Sequence, residues 1–412
     1  MYTVPYGKSS ITFKLPPGTE ADWISYHRSA PAAHDCIEKA LAHPIGSDSL
    51  EEAAKGCKNA VILISDSTRL CPSYKFLDAL LQRLHTAGIA DSQIRIIVAL
   101  GVHRKQTEEE LIELVSDTIY RRVQVLNHSS LSEDCVHLGT TRLGTPIEIN
   151  KHVVEADFRI VTGNLEPHAL VGVSGGVKAL FPGTASAPAI EHNHSLSQKY
   201  PATPGIAEHP IRADMEEVLE VLPVHFLLNV LVDHGRKLLG AVAGDVIAAH
   251  RAGQELIQRT FLVEVPHLYD MIIVSPGGHP KDRQLYQTIK ALKNASAITK
   301  PGGTILLIAR CEEHYGNGIF QHWVETIQDR TVMTQKLHQK FVLGAHKIEH
   351  IDQILKQHKV CLLSELPPAT AQLIGFHPVP ELHSFLHERI ASSMKIAVMP
   401  YGGLTFPRLR HS

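Results

Sequence analysis

The chain of 412 residues has no Cys-x-x-Cys pair, no apolar run of membrane-spanning length and no excess of charge of either sign. Its six cysteines, at 36, 57, 71, 135, 311 and 361, lie far apart, which argues against a disulfide framework or a cysteine zinc site and points to a reducing compartment. No stretch approaches the roughly 18 apolar residues of a membrane helix, and the opening residues lack a basic segment followed by an apolar one. A cytoplasmic protein is expected. With 40 basic against 42 acidic residues, the chain has neither the footprint of a nucleic-acid binder nor that of a polybasic membrane anchor. Small-molecule ligands are the remaining expectation.

What is present is an ordinary globular composition, 44% apolar and 20% charged, in a chain long enough for two cores. Twenty-seven histidines is a high count, consistent with metal handling or with lineage bias. Three times an apolar run is followed by a polar loop and then a helical pattern. Ala60–Ser65 leads to Asp66-Ser-Thr-Arg69 and a helix over Tyr74–Ala87. Ile94–Leu100 leads to Gly101-Val-His-Arg104 and a helix that starts with the capping signature Thr107-Glu-Glu-Glu110. Phe158–Thr162 leads to the stretch from Asn164 to Leu196, which holds three histidines, four glycines and Lys178. Strands are further expected at Ser10–Leu15, Phe226–Val232, Tyr269–Ser275, Thr304–Ala309, Val360–Ser364 and Lys395–Met399. Helices are expected within His34–Ala54, Met215–Val221, Gly244–Glu255, Arg283–Asn294 and Ile319–Thr331.

The fold class read from this alternation is α/β, two α/β domains with an active-site cleft between them. The first would span residues 1–264, with the tail 394–412 returning to it, and the second 265–393. Ligands of open α/β sheets sit at the carboxyl ends of the strands, where Asp66, Arg69, His103, His168 and Lys178 all fall.

Each of these residues has a plainer role beside the functional one. Ser174, Gly175 and Gly176 read as a phosphate cradle at a helix start, although the loop matches neither the Walker pattern nor Gly-x-Gly-x-x-Gly. Lys178 fits a phosphate counter-charge, a covalent nucleophile or an exposed lysine. His103 and His168 fit a pair of proton-transfer groups or loop and capping histidines. Asp66 and Arg69 fit a structural ion pair, or Arg69 a carboxylate clamp. His192-Asn-His194 could ligate a metal through imidazole. Lys281 and Asp282 read as solvated. Tyr286 and Lys290, four apart, share a helix face with Gln287 beside them.

Taken together, Asp66-Ser-Thr-Arg69, Gly101-Val-His-Arg104, Glu166-Pro-His168, Ser174-Gly-Gly-Val-Lys178, Phe181-Pro-Gly183, Asn193-His194 and Leu285-Tyr-Gln-Thr-Ile-Lys290 resemble the nickel-dependent lactate racemase family. The resemblance implies a racemase or epimerase of a 2-hydroxy acid working by reversible hydride transfer to a nickel-pincer nucleotide. It implies a thioamide link from Lys178 to that cofactor, His194 as the nickel ligand, and His103 and His168 as the two bases. Asp66, Thr68, Ser174, Gly175 and Gly176 would contact the cofactor, and Arg69, Tyr286, Gln287 and Lys290 the substrate. Enzymes that make the cofactor would be maturation partners. Val177 and Glu313-His-Tyr-Gly316 depart from the family's commoner pattern and are expected at the pocket. The alternatives are a metal-dependent hydrolase or lyase using activated water, and a non-enzymatic nickel or nucleotide carrier.

Overall fold

A computed structural model describes residues 1–27, 35–168 and 170–410. Contacts divide the chain into two compact units, Arg28–Thr260 and Met1–His27 with Phe261–Ser412. Among the described residues no helix is long and apolar enough to cross a membrane.

The unit Arg28–Thr260 is built on a six-stranded sheet in the order Leu238–Gly244, Phe226–Val232, Phe158–Asn164, Ala60–Ile64, Ile94–Val98, Gln124–Asn127. All neighbours are parallel except the first pair. Ala-Val-Ile-Leu-Ile and Phe-Arg-Ile-Val-Thr-Gly-Asn are buried at every position, as central strands covered on both faces must be. From Ala60–Ile64 the chain adds two strands on one side and then crosses to add Phe158–Asn164 on the other. The order therefore reverses between Ala60–Ile64 and Phe158–Asn164, and loops leaving the carboxyl ends of those two strands flank the natural crevice. The helix Leu77–Thr86 packs Leu77, Leu80, Leu81 and Leu84 inward at helical spacing. Thr107 and Glu110 form the anticipated capping box.

The strand Leu238–Gly244 was not anticipated. Leu-Leu-Gly-Ala-Val-Ala-Gly has weak β preference, and its pairing depends on the Asp233 turn, whose carboxylate accepts from the N–H of Gly235 and of Lys237. Of the stretch expected to be helical from His34, His34 itself lies outside the described residues; helices occur at Cys36–Ala42 and Leu50–Ala53.

The other unit has a parallel sheet in the order His377–Pro378, Lys359–Leu363, Thr299–Ile308, Tyr269–Val274, Ile396–Met399, Ala21–Trp23. The expected return of the tail to the first domain does not occur. Ile396–Met399 runs between Tyr269–Val274 and Ala21–Trp23, so both chain ends complete this sheet. An apolar run such as Ile-Ala-Val-Met announces a buried strand but not which sheet it joins. The N-terminal hairpin, Tyr2–Tyr6 with Ser9–Phe13, also belongs here. Asp282, expected to be solvated, is fully buried and accepts from the backbone N–H of Gly7 (2.7 Å) and Arg310 (3.2 Å). Burial pushes its pKa up, against those two bonds. Lys281 is likewise buried. All six cysteines are free thiols.

His128 makes the first unit acid-sensitive. Its Nε2 donates to the Ala185 carbonyl (2.9 Å), its Nδ1 accepts from Asn150, and burial pulls its pKa down to about 4. The unfolded chain binds this proton near pH 6.5 and the folded one near 4, so the associated stability is present above 6.5 and is lost as pH falls between those values, on the order of 3 kcal/mol in full. Urea unfolding from pH 7 to 4 should show that decline. A His128→Gln variant should show a shallower one, and an unchanged slope would refute the assignment.

Candidate active site

Asp66, one residue past the end of the Ala60–Ile64 run's Ser65, is 2% exposed. One carboxylate oxygen, Oδ1, accepts from the Thr68 backbone N–H (2.8 Å) and from the Thr68 hydroxyl; the other, Oδ2, meets His103 Nδ1 at 3.1 Å and Arg69 Nε at 3.8 Å. Burial alone would raise the Asp66 pKa. His103 first, then Arg69 and Thr68, outweigh it and hold the carboxyl well below the ordinary range. An ionised Asp66 fixes the proton of neutral His103 on Nδ1 and leaves Nε2 as its open, proton-accepting face. Asp66 and Thr68, expected to contact a cofactor, thus have their polar atoms engaged in positioning His103. Arg104 forks onto Glu110 and so supports the helix cap.

From the adjacent strand, Pro167–His168 pairs with Gly172–Val173 as a short hairpin. His168 Nε2 lies 2.7 Å from Lys178 Nζ, and His168 Nδ1 accepts from the Leu170 N–H at 3.2 Å. Lys178 sits in a single 3₁₀ turn, Gly176–Ala179, and not at the start of a longer helix. The phosphate-cradle reading of Ser174-Gly-Gly176 meets a difficulty. The Ser174 hydroxyl donates to the Asn164 carbonyl and accepts from Glu166 N–H, while Gly176 N–H donates to Asn229 Oδ1. The glycines serve the backbone path: both have positive φ, and a Cβ on Gly175 would stand 2.4 Å from Asn229 Oδ1.

His194 projects from the helix Ala187–Ser195. His168, Lys178, Asn193 and His194 line one recess, closed by Leu170, Val171, Pro182, Ile211 and Met215. His192 does not share it. Two residues along a helix point to nearly opposite sides, and His192 Nδ1 instead meets the Thr145 hydroxyl at 3.0 Å. Val177 is 1% exposed and packs into the core. Tyr286, Gln287 and Lys290 lie in the other unit on the helix Leu285–Ser296, all half-buried, beside the fully packed Leu285, Thr288 and Ile289. The Tyr286 ring meets Phe320 and His346 edge-on.

Several residues that no motif marks hold this site in shape. Asp214, fully buried, accepts from the hydroxyls of Thr141 and Thr145 (2.7 Å for the latter) and from Asn193 Nδ2 (2.8 Å), which anchors the helix turn that carries His194. Arg212, also fully buried, donates to the carbonyls of Val171 and Val173, and His250 to that of Ser174. Burial pulls the Arg212 pKa down to about 10 and that of His250 well below the ordinary value. Three successive carbonyl anchors between His168 and Lys178 keep the loop to one path. Only the buried run around Ile211 hints at Arg212 and Asp214 in the sequence. Replacing Asp214 with Ala would leave two hydroxyls and an amide without their acceptor, and a loss of about 3 kcal/mol in urea unfolding is expected; a loss below ~1 kcal/mol would show the network to be dispensable.

Residues 6–203 match a family model described as the lactate racemase N-terminal domain, and residues 266–402 one described as the lactate racemase C-terminal domain. A lactate racemase of Lactiplantibacillus plantarum is 33% identical over 379 residues, 88% of either chain. That of Thermoanaerobacterium thermosaccharolyticum is 31% identical over 374 residues, 88% of this chain and 87% of its own. The structure of the latter's apoprotein superposes with a TM-score of 0.89, covering 98% of this chain and 99% of that one. A Thermotoga maritima protein at 16% identity and TM-score 0.72, covering 93% and 100%, shares the fold.

Proposed function

The chain belongs to the lactate racemase family, and on that premise we propose that it interconverts the enantiomers of a 2-hydroxy acid with the help of a nickel-pincer nucleotide held on Lys178. It is an isomerase by family. Lactate is the first substrate to try, since both curated relatives are named for it. The observation that carries the reading is the meeting of Lys178, His168 and His194 in one recess. An amine suited to a covalent tether and an imidazole suited to nickel therefore face the same space, so the residues fit the group.

A carbinol C–H is too weakly acidic for an imidazole to remove, so the reaction needs a hydride acceptor, which the nickel-pincer nucleotide supplies when bound. The side chains do the rest. His103, held by Asp66 with Nε2 open, takes the hydroxyl proton of one enantiomer and returns it. His168 does the same for the other. Arg69 would hold the substrate, its guanidinium clamping the carboxylate. Enzymes that make the nucleotide would be needed for maturation.

Among the described residues no three His, Cys, Asp or Glu side chains stand together as a metal-binding group. A metal-water hydrolase therefore has no donor set of its own there. A carrier would have no use for an imidazole braced by a buried carboxylate.

Enantiomerically pure hydroxy acids, deuterated at carbon 2 and lactate first, test the reading. Racemisation with the deuterium retained is expected of hydride transfer. Complete exchange of the label with solvent would overturn the hydride step, and no racemisation of any acid by cofactor-loaded protein would overturn the assignment.

A further inference from the structure

His168 is bonded on both ring nitrogens, and the two bonds constrain each other. Leu170 contributes a backbone N–H, which can only donate, so Nδ1 must accept (3.2 Å). A neutral imidazole that accepts on Nδ1 carries its proton on Nε2. The atom 2.7 Å from Nε2 is Lys178 Nζ, which must then offer a lone pair. An ammonium has none, whereas a free amine has one. Either protonated partner would set donor against donor at one of these contacts.

We infer that His168 has a second task, before any turnover: it keeps Lys178 as a free amine and makes the chain a self-acylating protein toward aryl thiocarboxylic acids. The inference rests on the reading of Lys178 as the tether. In the step, Nζ bonds to the carbon of the thiocarboxylic acid, and the carbon–oxygen bond breaks. The oxygen leaves as water with the proton from His168 Nε2, and His168 regains a proton from the new N–H group. Thioacid plus amine gives thioamide plus water, with no change of oxidation state. Once acylated, the nitrogen has no lone pair to offer, so nothing holds the proton on Nε2; turnover then uses the other tautomer, with the proton on Nδ1, the Leu170 bond given up and Nε2 open to substrate. Loading and turnover therefore use the same imidazole in sequence, in two tautomers.

The test needs no cofactor. Full-length protein, made without the cofactor-producing enzymes, is exposed briefly to p-nitrophenyl acetate near neutral pH, and acetylation of each lysine is mapped by peptide mass. Lys178 should react about tenfold or more faster than the median lysine, because an ordinary lysine is almost wholly protonated there. In His168→Gln, Lys178 should fall to the median while the other lysines keep their rates, which also reports that the variant is folded. Median reactivity of Lys178 in the unaltered protein, or unchanged reactivity in His168→Gln, would overturn the inference. Fast labelling in protein that racemises nothing would sink the racemase reading alone; slow labelling in an active racemase would sink this one alone.

Discussion

Lys178→Ala is expected to reduce racemisation to background and to leave the protein at its unmodified mass after co-expression with the cofactor-making enzymes. The amine stands in the recess shared with His168 and His194, and alanine removes both the bond-forming atom and the partner of His168 Nε2. Lys178→Arg is the sharper variant, since it retains a cation but does not acylate. Its activity should also be lost, by the full rate enhancement of the loaded enzyme. Intact mass spectrometry beside a polarimetric assay checks both, and full activity in protein of unmodified mass would dispose of the tether.

Asp66→Asn should lower kcat by about 10²- to 10⁴-fold, the usual contribution of a positioned proton-transfer group. The direction follows from geometry. Thr68 donates both its N–H and its hydroxyl to Oδ1, so an asparagine at this position must place its carbonyl oxygen there. Its NH₂ group is then turned to His103 Nδ1, which is compelled to accept. The imidazole proton moves to Nε2, and the face that should take a proton presents one instead. KM is expected to shift as well, because Asp66 Oδ2 also lies 3.8 Å from Arg69, the residue assigned to the carboxylate; the tautomer effect is read in kcat. A variant with kcat within threefold of the unaltered enzyme would show that the pairing does not select the reactive tautomer.

The strand ends that carry Asp66 and His103 were legible because five consecutive apolar residues, Ala60–Ile64 and Ile96–Leu100, announce a central parallel strand, and a loop with polar residues must follow; the strand before His168 was legible from its β-branched Ile160-Val-Thr162. The helix Leu285–Ser296 was legible for the same kind of reason, its apolar stripe alternating with Tyr286, Gln287 and Lys290. What could not be read was the set of long-range polar bonds. Nothing in the local sequence says that Asp214 meets Asn193, that Arg212 reaches Val173, or that Asn229 takes the Gly176 N–H. Such partners are chosen by tertiary packing, and a buried aspartate looks in one dimension like a surface one. Ser174-Gly-Gly176 shows the same limit: glycine marks a tight backbone path, but whether the space beside it takes a ligand or an asparagine is decided elsewhere in the chain.

The placement of Ala21–Trp23 and Ile396–Met399 side by side has a consequence for how the molecule is made. Arg28–Thr260 leaves the ribosome as an uninterrupted segment with all six strands of its sheet, and can mature while synthesis continues. The other sheet has to hold its first strand in reserve, because the neighbour that receives it is translated some 370 residues later. Until then Ala21–Trp23 has no strand to pair with, and the nascent chain carries a sheet edge waiting for its last member.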